Sequence, residues 1–146
     1  MESSGEHPID SMQILLVEDN AGDADLVRIA CKEYLGSYAS ITHVETLAAA
    51  LDALKSKTYG LVMADLGLPD ALGIDVLQRL FAVPNVPPIL VLTGNNDERL
   101  GVRALLLGAR DYIVKGRVDG EAMAGKIVKY GKSPRAPMPG LARPRR

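Results

Sequence analysis

Residues 60–73 read GLVMADLGLPDALG, and this stretch decides the fold. Residues 61–64 are apolar without alternation, the pattern of a short strand covered on both faces, and the run stops at a single carboxylate, Asp65. Two other runs have the same character. Residues 14–17 (ILLV) stop at Glu18 and Asp19, and residues 89–92 (ILVL) stop at Thr93 and Gly94. Weaker strand patterns cover residues 40–45 and 111–115, the second ending in Lys115.

Between these strands lie segments with helical spacing. After Asn20, one face holds Val27, Ala30 or Cys31, and Tyr34, with Asp23 and Asp25 near the start, where negative charge suits the helix dipole. Thr46 caps a helix with Leu47, Leu51 and Leu54 on one side. A third helix carries Val76, Leu77 and Leu80, and Pro84, Pro87 and Pro88 end it. Asn95 or Asn96 is the expected cap of a fourth, with Leu100, Ala104 and Leu107 inward and Gly108 as its stop. Residues 121–130 form a last helix, weakened by Gly125.

Alternating strands and helices with short connections specify an α/β, doubly wound, five-stranded parallel sheet, since each crossover is right-handed. The order expected is 2-1-3-4-5, the flavodoxin-like one, with its crevice at the carboxyl ends of strands 1 and 3. Glu18, Asp19, Asp65, Thr93 and Lys115 all stand at strand ends on that edge. Three carboxylates against one ammonium leave uncompensated negative charge; repulsion at ~4 Å costs about 1 kcal/mol per pair even in water. A hard divalent cation relieves it. Mg²⁺, with Mn²⁺ able to take its place, suits a few carboxylate oxygens and commonly bridges them to a phosphoryl group. The chemistry implied is phosphoryl transfer to Asp65, with Lys115 and the Thr93 hydroxyl holding phosphoryl oxygens. Each residue alone has a bland reading as a cap, a turn or a surface charge; their coincidence on four strand ends carries the argument.

The chain has 146 residues, 47% of them apolar, enough for one core. Its formal charge of −1 is uneven. Lys132, Arg135, Arg143, Arg145 and Arg146 lie in the last fifteen residues, and without them 12 basic residues face 18 acidic ones, a balance of −6. Such a body is a poor match for nucleic acid, which is bound by clustered Lys and Arg. The organisation expected is a flexible leader over residues 1–11, one domain over 12–131 and a basic, proline-rich, disordered tail over 132–146. The single cysteine, Cys31, excludes an internal disulfide, and no run of eighteen apolar residues or export signal occurs, so a cytoplasmic protein without membrane contact is expected. His7 and His43 read as incidental.

The motifs LLVEDN, DLGLPDALG, the TG after PILVL, and DYIVK together resemble the response-regulator receiver domains of two-component signalling over roughly residues 12–130. The step from Asp65 through Pro69 to Gly73 and the 22-residue step from Thr93 to Lys115 fit that family. The resemblance implies that Asp65 is the phosphoacceptor, that Glu18, Asp19, Asp65 and the Gly67 backbone carbonyl hold the metal, and that Lys115 binds the phosphoryl group. It makes Thr93 and Tyr112 the switch residues. It implies a sensor histidine kinase or a histidine phosphotransfer protein as donor. The chain reads as a stand-alone member without a DNA-binding domain, so its output would pass by docking to a downstream protein. The family's usual proline after the lysine is replaced by Gly116.

The run Leu105-Leu106-Leu107 spans more arc than one buried stripe covers, so at least one leucine should face outward. Leu105, Leu106 and Tyr112 then form a docking face, one use of which is phosphorylation-dependent homodimerisation. The competing readings are a small Mg²⁺-dependent phosphatase or phosphotransferase of another doubly wound family, and an interaction module with a vestigial site. The first would carry a second Asp two residues after the nucleophile, where this chain has Gly67.

Overall fold

The computed structural model describes residues 11–94 and 97–133. In chain order the elements are β1 (Met12–Val17), α1 (Ala21–Tyr34), β2 (Ala39–Val44), α2 (Leu47–Ser56), β3 (Leu61–Asp65), β4 (Gly67–Leu68), β5 (Ala71–Leu72), α3 (Ile74–Phe81), β6 (Ile89–Thr93), α4 (Glu98–Leu107), β7 (Asp111–Val114) and α5 (Gly120–Tyr130). The main sheet is parallel in the order β2-β1-β3-β6-β7, which is 2-1-3-4-5 once the small antiparallel hairpin β4–β5 is set aside. The flavodoxin-like, doubly wound order expected from the sequence is the one observed. The hairpin was not expected; two-residue strands are too short to show a period.

Register fixes what shares the carboxyl edge. Val17 pairs with Ala64, Asp65 with Leu92, and Thr93 with Val114, so Glu18 comes level with Asp65, and Thr93 and Lys115 follow one and two residues further along the same edge. Ile14, Leu15, Leu16 and Val17 are all fully buried, because alternate residues face two different core layers. Met12, Ile14 and Leu16 pack with Val27, Cys31 and Ile127 of α1 and α5; Leu15 and Val17 pack with the layer of Leu47, Val76, Leu77, Leu80 and Ala104. That double burial is why the strand runs show no alternation. Truncating one such leucine to alanine costs about 2–5 kcal/mol, enough to disturb strand ends that must stay level. Burial also pushes the Cys31 thiol up to about 12, which fits its reading as a small apolar helix residue.

Helix starts are capped largely as the sequence indicates. Asn20 Oδ1 accepts from Asp23 N–H at 2.9 Å, and Thr46 Oγ1 from Ala49 N–H at 3.0 Å. Asp119 caps α5 through Ala122 N–H. Two expectations need correction. The buried face of α1 continues to Leu35, while Tyr34 is exposed; α4 turns Gly101 and Ala104 inward and leaves Leu100 half-buried and Leu107 exposed. The cause lies outside α4, in the Tyr112 ring packed over Gly101. Asn95 and Asn96, the expected caps of α4, lie outside the described residues; Asp97 stands at the N-cap and, among the described residues, makes no side-chain capping hydrogen bond. Gly108 ends α4 in the left-handed region as expected.

At the other end of the sheet, Lys132 N–H donates to the Gly60 carbonyl at 2.9 Å. The residue expected to begin the tail is thus tied to the body. The leader, apart from Ser11, and residues 134–146 lie outside the described residues.

Candidate functional site

The acid cluster is built by two turns. Glu18 directly follows β1, fully buried, while Asp19 beside it is exposed. Asp65 ends β3, and Gly67 N–H donates to its Oδ1 at 3.0 Å, which folds the β3–β4 turn back over the carboxylate. Ligand oxygens of Glu18, Asp19 and Asp65 lie within 4.8 Å of one another. Lys115 leans into this group, its Nζ 2.7 Å from Glu18 Oε1 and 3.0 Å from Asp65 Oδ2. Thr93 is buried at the end of β6, its hydroxyl donating to the Ile113 carbonyl at 3.5 Å, a long and weak bond. Asp65, Thr93 and Lys115 line one open cleft with Gly67 and Gly94.

Electrostatics follow from these distances. Burial, and then the hydrogen bond to Asp65, push the Glu18 carboxyl from 4.5 up to about 7, with Lys115 and the Asn20 N–H pulling partly back. Burial works against the charge of Lys115, yet its contacts with Glu18, Asp65 and Asp23 outweigh that and raise it above the ordinary lysine range. A charged ammonium beside a partly protonated Glu18 is the result.

Glu18, Asp19, Asp65, Thr93 and Lys115 therefore come together as expected, with Gly67 against Asp65. Tyr112 lies apart, half-buried on β7 under α4. Leu105 and Leu106 are exposed, 38% and 82%, and Leu106 lies one turn beyond Val102, itself exposed. Gly116 takes φ +83°, so the bend after Lys115 is made by a left-handed glycine where the family has proline.

Two site residues escaped the sequence reading. Asp23, read as a helix-dipole charge, places Oδ2 3.0 Å from Lys115 Nζ, its helical turn held by the Asn20 cap. His43, read as incidental, sets Nε2 2.7 Å from the Glu18 carbonyl. Neither has a local signature, because both contacts cross between elements.

The oxygen donors fit a hard divalent ion. Glu18 Oε1 is buried, accepts no well-directed hydrogen bond among the described residues and rests on charge contact with Lys115, so the cluster has acceptor capacity to spare.

Comparison with known proteins agrees with this geometry. The family model for the response regulator receiver domain matches residues 14–126. The cell cycle transcriptional regulator CtrA of Caulobacter vibrioides is 33% identical over 105 residues, 71% of this chain and 44% of that protein. The chain spans less than half the length of the curated relatives it matches first. Among solved structures, the Mn²⁺-bound form of response regulator Rcp1 superposes with a TM-score of 0.66 at 26% identity, covering 80% of this chain and 91% of that one. The receiver domain of Ssk1 from Saccharomyces cerevisiae, solved in complex with the histidine phosphotransfer protein Ypd1, shares the fold with a TM-score of 0.69 at 23% identity, covering 84% and 90%. Family match, strand order and acid cluster coincide on the same residues: the chain belongs to the response regulator receiver domains of two-component signalling.

Proposed function

We propose that Asp65 is the phosphoacceptor of this receiver domain, and that Glu18, Asp19, Asp65 and the Gly67 carbonyl hold a divalent cation, Mg²⁺ or Mn²⁺, beside it. The observation that carries the reading is the placement of Asp65 between the Glu18–Asp19 pair and Lys115. The bound ion would neutralise charge on the phosphoryl oxygens. Asp65 supplies the nucleophilic oxygen: an O–P bond forms as the P–N bond to a donor phosphohistidine breaks, and the imidazole leaves with the electron pair and takes up a proton. Lys115 meets a phosphoryl oxygen, and Thr93 turns its hydroxyl from Ile113 to another.

The donor, a sensor histidine kinase or phosphotransfer protein in the cytoplasm, needs a surface beside this cleft. Leu26 and Ile29 of α1 are exposed, 61% and 59%, along a groove that Val118 and Met123 share and that reaches Lys115. Two exposed aliphatic side chains beside a charged cleft suit the apolar flank of a helical donor. Output would leave through α4 and Tyr112, toward a downstream protein or a second copy. Acetyl phosphate with Mg²⁺, read by intact mass, tests the reading. Wild type should gain one base-labile phosphoryl group, Asp65→Asn none, and excess EDTA should abolish the gain; modification of Asp65→Asn at the normal rate overturns the assignment.

A further inference from the structure

We propose that His43 is a positioning residue of the acceptor site: its ring holds the main-chain carbonyl of Glu18 and thereby fixes the turn that carries Glu18 and Asp19. This rests on the reading of those acids and Asp65 as the metal-holding set.

The β1–β2 ladder has Val17 paired with Val44, and its last rung is Glu18 N–H donating to the Val44 carbonyl at 3.0 Å. The next carbonyl, that of Glu18, has run past the end of β2 and finds no strand to pair with. His43 Nε2 takes it at 2.7 Å. A carbonyl only accepts, so Nε2 carries the proton and Nδ1 is left as an acceptor. Arg28 Nη1, which only donates, stands 3.3 Å from Nδ1, and Arg28 Nη2 meets Asp25 Oδ1 at 2.9 Å. One tautomer satisfies both ends, and a chain of contacts runs from Asp25 through Arg28 and His43 to Glu18.

The consequence for the site is geometric. With its N–H on Val44 and its C=O on His43, the backbone of Glu18 is held on both sides, and the peptide leading to Asp19 keeps one orientation. The Glu18 side chain then points inward to Lys115 while Asp19 stays outside, their oxygens within the same 4.8 Å group as Asp65. A hydrogen bond that orients metal donors without touching the metal characteristically changes affinity by about 10–100-fold when lost.

The test compares wild type with His43→Phe, which keeps a ring of similar bulk without a donor, and His43→Gln, whose amide N–H can reach the carbonyl where Nε2–H stood. Mg²⁺ is titrated and followed by amide NMR, and the metal-free spectra are compared first. His43→Phe should shift the metal-free Asp19 and Asn20 amides and weaken Mg²⁺ binding about tenfold, with a melting temperature close to that of His43→Gln. His43→Gln should recover most of the affinity. Wild-type affinity in His43→Phe, or no recovery in His43→Gln, overturns the proposal. If wild type itself binds no Mg²⁺, the metal reading fails separately, and unmoved Asp19 and Asn20 amides in metal-free His43→Phe then overturn the positioning role on their own.

Discussion

Gly101 and Tyr112 are in contact so close that a Cβ built on residue 101 would lie 2.6 Å from Cδ2 of the tyrosine ring. The ring therefore holds its half-buried position only because α4 has no side chain there, and the switch reading of Tyr112 depends on that vacancy. Alanine at 101 favours the helix by about 1 kcal/mol, but overpacking costs about 1–3 kcal/mol, so Gly101→Ala should be destabilising in wild type. Removing the ring should reverse the sign. In a Tyr112→Ala background, Gly101→Ala is expected to stabilise by about 0.5–1 kcal/mol, measured as a double-mutant cycle in urea. Additive changes would show that the two residues are not coupled.

The raised carboxyl of Glu18 makes the metal-free protein sensitive to pH. Its folded value of about 7 exceeds the ordinary 4.5, so the fold favours the protonated form. This contribution is complete below about 4.5 and lost as pH rises through about 7. Lys115 is raised as well, so its contribution is intact across that window and does not alter the slope. Asp70 is depressed and loses its contribution only below its ordinary 3.8. The melting temperature in EDTA should therefore rise from about pH 8 to about pH 5, whereas Mg²⁺, which needs the carboxylate, should bind more tightly as pH increases. A flat or opposite slope in EDTA would rule out Glu18 as the titrating group.

The strands were legible because burial on both faces erases alternation, and the site was legible because register in a parallel sheet turns strand ends into neighbours. What stayed hidden depends on contacts between elements. Leu107 looked as good a core residue as Leu100 until the Tyr112 ring fixed the rotation of α4. Asp23 and Lys115 are 92 residues apart, and His43 is 25 from Glu18; no local pattern signals either pair. Gly116 was visible as a departure from the family, but only its φ of +83° shows how the bend is made.

Asp70 belongs to the same class of hidden contact. From the β5 side of the hairpin turn its carboxylate accepts from Leu47 N–H at 2.9 Å and Ala48 N–H at 3.0 Å, which caps α2 from 22 or more residues away and lowers its own pKa. Asp70→Ala should lower the melting temperature through the lost cap, while Thr46 still holds Ala49. Amide exchange should quicken first at Leu47 and Ala48. Unchanged protection there would mean that Thr46 alone caps the helix.

The last prediction concerns how a phosphoryl group at Asp65 is felt at Tyr112. Thr93 is buried in the cleft that holds Asp65, and among the described residues its hydroxyl holds only the 3.5 Å bond to the Ile113 carbonyl. A phosphoryl group adds nearly two negative charges, and a hydroxyl bond to such an anion is roughly twice as strong as a neutral one, so the exchange of partners is downhill. Ile113 is the residue after Tyr112 on β7, which makes the released carbonyl a direct link between Thr93 and Tyr112. The response at a distance is limited by the difference in interaction between the two arrangements. Beryllofluoride with Mg²⁺ should therefore move the amides of Thr93, Tyr112, Ile113 and α4 in wild type, and those of α1 much less. Thr93→Ser keeps the hydroxyl and should retain the pattern. Thr93→Ala should still accept phosphate at Asp65, because Lys115 remains, but the shifts at Tyr112 and α4 should shrink by at least half. Equal shifts in the alanine variant would place the coupling elsewhere, with Lys115 and the ion pair of Arg117 with Glu98 the next connection between the site and α4.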